Sequence, residues 1–188
     1  MAKQIEDCQP EYYEDPTWGL EGMARVRERT WLPLATNMCV TNFDHVAAAV
    51  AMNAVDIILS DVYYWEGIRG VKALSAICDC FRWGFSMHSG VELGVTLAAM
   101  LHAAASCPNM TYDADAHYHH LMDDVIVGGK MKYEQGSIAV PTGPGLGVEL
   151  DEDRMAKYEE LFRRKGDYFA RYMQDDRQPD WFPINPAF

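Results

Sequence analysis

The chain has 188 residues, and 16 Lys and Arg against 28 Asp and Glu give a formal charge of −12. The basic residues are scattered singly or in pairs such as Arg163 and Arg164, which excludes a binder of phosphate backbones or of anionic membrane surfaces. Hydrophobic residues at 49% and aromatics at 12% are enough for a packed core and exclude a disordered chain.

No stretch is apolar for long enough to span a bilayer, and nothing near the N-terminus reads as a leader. A cytoplasmic protein is expected, with no nucleic acid and no membrane among its partners. Five cysteines, Cys8, Cys39, Cys78, Cys80 and Cys107, fit neither a disulfide framework nor a paired zinc pattern. Each is read as a small buried hydrophobe in a reducing compartment.

In chain order, a helical start over 1–8 precedes a short strand at 11–13, stopped by Glu14-Asp15-Pro16. Helical and extended stretches then alternate. Residues 20–29 read as helix, 32–36 as strand, 43–52 as helix, 55–60 as strand and 67–81 as helix. Strand 83–87, helix 91–105 and a fifth strand at 110–112 complete the series. The strands are short and apolar without alternation, as expected of strands covered on both faces. Connections of this length favour parallel pairing through crossovers. Beyond Asp113 come a His-rich acidic stretch, a hairpin over 130–140 turning at Gln135-Gly136, and a Gly/Pro segment at 141–147. A charged helix over 152–174 and a Pro/aromatic tail end the chain. One compact unit is expected, with 1–150 as the α/β part and 151–188 as helix and tail.

In parallel α/β folds the carboxyl ends of the strands carry the chemistry. Those positions hold Glu14, Asn37, Asp61, His88 and the pair Asp115 and His117, spaced 23, 24, 27 and 27 residues apart. So regular a repeat points to part of a (β/α)8 barrel rather than a doubly wound sheet. Such barrels need at least ~200 residues, so the chain reads as the C-terminal portion of one, about five βα units.

Each strand-end residue has a plainer alternative. Glu14 can solvate a strand end or help begin the next helix, and Asn37 can form an Asx turn. Asp61 and His88 can each be surface polar residues. Set on adjacent strands, they can also form a dyad in which the carboxylate fixes the imidazole tautomer and makes it a general base. His117, His119 and His120, with four nearby aspartates, match no zinc template and read as solvated loop histidines. His45 and His102 sit in apolar helical stretches and read as packed.

Taken together, Glu14-Asp15-Pro16, Thr36-Asn37-Met38, Val55-Asp56-Ile57 leading to Asp61, Tyr64-Trp65, His88-Ser89, Asp115-Ala116-His117 and Pro144 to Glu149 resemble the enolase superfamily. The resemblance is to its mandelate racemase subgroup, among acid-sugar dehydratases of the glucarate dehydratase kind, and runs from about Tyr12 to Asp151. It implies an enzyme, a carbon–oxygen lyase whose acid-sugar substrate has its carboxylate held by Mg2+. A base removes the α-proton and water is then eliminated.

By the same resemblance Glu14 is a metal ligand, with Glu21 as its alternative, and Asn37 is a metal or substrate ligand. His88 is the base, oriented by Asp61, and Ser89 and His117 contact substrate. Gly90 replaces the Asn that usually follows His-Ser in the family. The family's N-terminal capping domain, a Lys-x-Lys and a metal-binding Asp are expected upstream of Met1. The chain is therefore expected to depend on completion by that segment, or on a homo-oligomer. A racemase or epimerase of the same superfamily, a non-catalytic fragment or subunit, and a small complete α/β binding protein using the His117 to His120 cluster are the competing readings.

Overall fold

The computed structural model describes residues 2–166. Four strands, β1 (Tyr13–Glu14), β2 (Leu34–Thr36), β3 (Ile57–Ser60) and β4 (Gly84–Met87), form one parallel sheet in the order β1-β2-β3-β4. The crossovers are helices α2 (Leu20–Arg27), α3 (Phe43–Met52) and α4 (Gly67–Phe81). Helix α5 (Gly94–Ala105) follows β4, and a short α1 (Ala2–Ile5) precedes the sheet. Sequence order equals spatial order, as in a stretch of barrel wall.

β2 and β3 are buried at every position, which explains their lack of polar alternation. Successive side chains go to opposite faces. Leu34, Ile58, Phe85 and Met87 enter the main core with Val46, Val71, Leu74, Leu97 and Met100 of the helices. Ala35, Ile57 and Leu59 make a smaller cluster on the other face, closed by Tyr12 and Tyr112. Those two rings meet edge to face with centroids 5.5 Å apart.

Helix α3 begins where expected because Asn42 lies outside it in extended backbone and its side chain accepts from the His45 N–H at 3.2 Å. Asn42→Ala should cost about 1 kcal/mol in a denaturant titration of the chain. At its far end Asn53 takes the left-handed conformation that suits a residue just past a helix.

The fifth expected strand is not paired as a strand. Thr111 donates its N–H to Phe85 O and Asp115 donates to Met87 O, both at 3.0 Å. The segment thus spends four residues where β4 spends two and bulges away. Hydroxyls fill the gap: Thr111 Oγ1 accepts the Phe85 N–H at 2.8 Å, and Ser86 Oγ donates to the Tyr112 and Asp113 carbonyls. A regular ladder cannot form across such a bulge.

The expected hairpin shrinks to one antiparallel bridge, Glu134 with Ser137. It turns at Gln135 and Gly136, which both have positive φ. The final helix α6 is Glu152–Lys165, capped by the Asp151 side chain, which accepts from the Arg154 N–H. The rest of the helix expected to 174, and the tail, lie outside the described residues. Of the cysteines expected to be buried, Cys39, Cys78 and Cys107 are, whereas Cys8 and Cys80 are exposed. Burial pushes the Cys78 thiol up to about 12, so it stays protonated packing material.

Candidate functional site

The carboxyl edge of the sheet gathers the polar residues. Ser60 pairs with Met87 across β3 and β4, so Asp61 and His88 leave adjacent strands side by side. Both line a cleft of about 280 Å³ with Asn37, Tyr63, Tyr64, Gly90 and Glu92.

Asp15, which the sequence reading passed over, ties the first two strand ends together. With φ of 36° it turns its carboxylate onto β2, where it accepts from Thr36 Oγ1 at 2.5 Å, the Asn37 N–H at 2.9 Å and the Met38 N–H at 3.1 Å. A carboxylate accepting several N–H and O–H donors fixes the backbone on which Asn37 sits. The Glu-Asp-Pro run was the available signal, since it sets a second carboxylate just past a strand end.

Asn37 is buried, and its Nδ2 donates to Leu59 O at 2.9 Å and to Asp61 Oδ2 at 3.2 Å. With both donors spent inward, its Oδ1 is the end left for a cation or substrate; among the described residues it accepts no hydrogen bond. Glu14 likewise accepts none there. Burial, the largest influence, pushes its carboxyl up, the neighbouring His88 and His117 pull it down, and Asp15 and Asp115 push it up again.

Two hard oxygen donors on neighbouring strand ends, a carboxylate without a cation and an amide oxygen turned outward, suit Mg2+. They would supply two of the oxygens such an ion needs. Among the described residues no group of three or more His, Cys, Asp or Glu side chains is arranged to hold a metal.

His88 departs from expectation. Its Nδ1 bonds Asp115, at 2.9 and 3.1 Å to the two carboxylate oxygens, and not Asp61. The bulge after Thr111 is the reason, because it brings Asp115 level with His88 on the far side of β4. Asp61 is meanwhile occupied: Oδ1 accepts the N–H groups of Tyr63 and Tyr64 at 2.8 and 2.7 Å, and Oδ2 accepts from Asn37. The Asp115 hydrogen bond raises the His88 pKa above its ordinary value. Burial opposes this, and the charges of Asp115, Glu14 and Glu92 add to it.

His117 starts a 3-10 turn (His117–His120) and packs its ring edge-on to His88, centroids 5.7 Å apart, with Nε2 4.0 Å from Asp115. Ser89, expected to contact substrate, is buried. Its hydroxyl donates to Glu92, whose other oxygen accepts the Gly90 N–H at 2.6 Å. Ser89 therefore shapes the loop after β4 and does not open into the cleft. Glu21 lies in the first turn of α2.

The family model described as enolase C-terminal domain-like matches residues 1–154. A probable glucarate dehydratase of Streptomyces coelicolor is 45% identical over 146 residues, covering 78% of this chain and 34% of that protein. A D-mannonate dehydratase of a Sphingomonas species is 26% identical over 163 residues, covering 85% of this chain and 40% of that protein.

Among solved structures, an enolase from Pseudomonas fluorescens Pf0-1 with bound magnesium, potassium and tartrate matches with a TM-score of 0.88 and 43% identity. The match covers 100% of this chain and 44% of that one. An enolase from Mycobacterium smegmatis complexed with tartrate matches with a TM-score of 0.83 and 48% identity, over 88% of this chain and 40% of that one. The chain thus spans 34% to 44% of the length of these relatives. Parallel strands in sequential order, polar residues gathered at their carboxyl ends and these matches agree: the chain belongs to the enolase C-terminal domain-like family, and its sheet is part of that family's barrel.

Proposed function

We propose that this chain carries the base-bearing part of the active site of a Mg2+-assisted acid-sugar dehydratase acting on a glucarate- or galactarate-like substrate. The observation that supports this most is His88, held by Asp115 at the strand edge that also presents Glu14 and Asn37. The curated relatives named glucarate and mannonate dehydratases favour the same chemistry.

With Nδ1–H donated to Asp115, the neutral imidazole keeps its Nε2 lone pair for the substrate's α-proton. Glu14 and the Asn37 amide oxygen would hold Mg2+, which when bound supplies positive charge beside the substrate carboxylate as that proton leaves. Asp61 acts through Asn37, fixing which end of the amide faces the cation. His117, half exposed beside His88, is placed to meet the substrate hydroxyls. The reaction would take place in the cytoplasm, on a barrel completed by further strands or by a homo-oligomer.

The test joins this chain to the upstream portion of the Streptomyces coelicolor relative and measures dehydration of glucarate and galactarate with Mg2+. Formation of the keto-deoxy acid is expected. Exchange of the α-proton with epimerisation and no water loss would point to a racemase or epimerase. No exchange with either sugar, where the relative's own segment supports it, would overturn the proposal and favour a non-catalytic subunit. In the same fusion Glu14→Gln should weaken Mg2+ binding on the order of tenfold or more, read by calorimetry.

A further inference from the structure

Asp124 is a carboxylate with no exposure to solvent and, among the described residues, no cation on its side-chain oxygens. Such a group persists only where donors replace its water. Here they are the Gly94 N–H at 2.9 and 3.1 Å, the Val125 N–H at 2.6 Å and the hydroxyl of Tyr118, which is itself fully buried. Gly94 is the first residue of α5, where a negative charge also meets the favourable end of the helix dipole.

The approach is close enough to require glycine. A Cβ at Gly94 would stand 2.5 Å from Asp124 Oδ2 and 2.7 Å from Ile126 Cδ1. Tyr118 is fixed on its other side as well, since its hydroxyl accepts the Met131 N–H at 2.9 Å and Lys130 Nζ lies 5.5 Å from its ring centroid.

The two ends of this link belong to the two segments that carry the histidines. Gly94 closes the loop that starts at His88, and Tyr118 follows His117 directly in the 3-10 turn. We propose that Asp124 and Tyr118 are positioning residues: their buried hydrogen bond locks the loop after β4 to the His117 turn and so sets the spacing of the His88 and His117 rings over Asp115. Neither residue faces the cleft. Their effect passes through the backbone on which the two imidazoles are mounted.

The inference builds on the proposed role of His88 and His117, but its test needs no turnover, so its failure and the failure of the dehydratase reading are separable. In the labelled 188-residue chain, ring-to-ring NOEs between His88 and His117 report the 5.7 Å edge-on contact. Tyr118→Phe keeps the buried ring and deletes only the hydroxyl. It should abolish those NOEs and shift the His117 imidazole resonances, while the amide spectrum of β2 and β3 stays unchanged. Gly94→Ala attacks the link from its other end and should give the same loss. NOEs retained in Tyr118→Phe, whatever its melting temperature, would show that the carboxylate serves only the stability of α5 and would overturn the proposal. Should Gly94→Ala fail to fold, Tyr118→Phe alone decides.

Discussion

Replacing His88 with Asn in the completed barrel should slow α-proton exchange by about 10²- to 10⁴-fold, the usual contribution of a positioned general base. The reason lies in the hydrogen-bond geometry. Asn presents an amide where the imidazole has a basic nitrogen, and it can still fill the space beside Asp115. Substrate binding should therefore survive, so the loss should fall on kcat more than on KM.

The pH dependence has a definite sign. As the proposed base, His88 would work in its neutral form, and Asp115 first, then the surrounding carboxylates, hold it protonated to higher pH than usual. The rate should rise with pH and level off above that raised value. Asp115→Asn removes the largest cause and should move the rising limb to lower pH, with a lower plateau because the ring loses its anchor.

Stability runs the other way. A pKa raised by folding contributes stability fully below the ordinary histidine value, about 6.5. That contribution is lost as pH rises through the folded value. The unfolding midpoint should fall across the window in which the rate rises, and the fall should be smaller in Asp115→Asn.

Trp65→Ala should cost about 3–5 kcal/mol, read by equilibrium unfolding. Trp65 is 1% exposed and is the largest of the fully buried side chains among the described residues. Its ring meets Phe43 at the start of α3 edge to face, with centroids 5.1 Å apart. The void left by truncation is not readily closed, because the residues around it are fixed from both sides. Phe43 follows the capped start of α3, and the Trp65 carbonyl lies where a Cβ on Gly70 would fall, 1.5 Å away. The same substitution reaches the cleft. Trp65 directly follows Tyr64 in the loop whose Tyr63 and Tyr64 N–H groups hold Asp61, and Asp61 in turn holds Asn37. Mg2+ affinity in the completed barrel should therefore drop along with stability, although Trp65 touches neither donor.

Much of this arrangement is legible in the sequence because it is local. The boundaries of α3 and α4 coincide with the expected 43–52 and 67–81, because apolar periodicity carries both. The strand ends follow from where apolar runs meet Glu14, Asn37, Asp61 and His88. The partner of His88 is not local. It depends on two extra residues in the segment after Thr111, whose hydroxyl replaces a ladder hydrogen bond, and a period count passes over such a bulge. The same limit hides Asp15, whose role lies in the conformation of one residue at positive φ, and Asp124, whose partners are 6 and 30 residues away.

The contact between Tyr12 and Tyr112 joins the two ends of the sheet. In a curved sheet the chord between first and last strand shortens as the curvature increases, and here two phenol rings close that chord. The bend of the wall is thus fixed by how the rings pack against Ala35, Ile57 and Leu59 as well as by backbone pairing. Any further strand pairing with β1 lengthens the arc. It must leave the rings touching across a wider interior or take their place on the inner cluster. The apolar surface shared by Tyr12 and Tyr112 is therefore the one that a further strand beside β1 would have to accommodate.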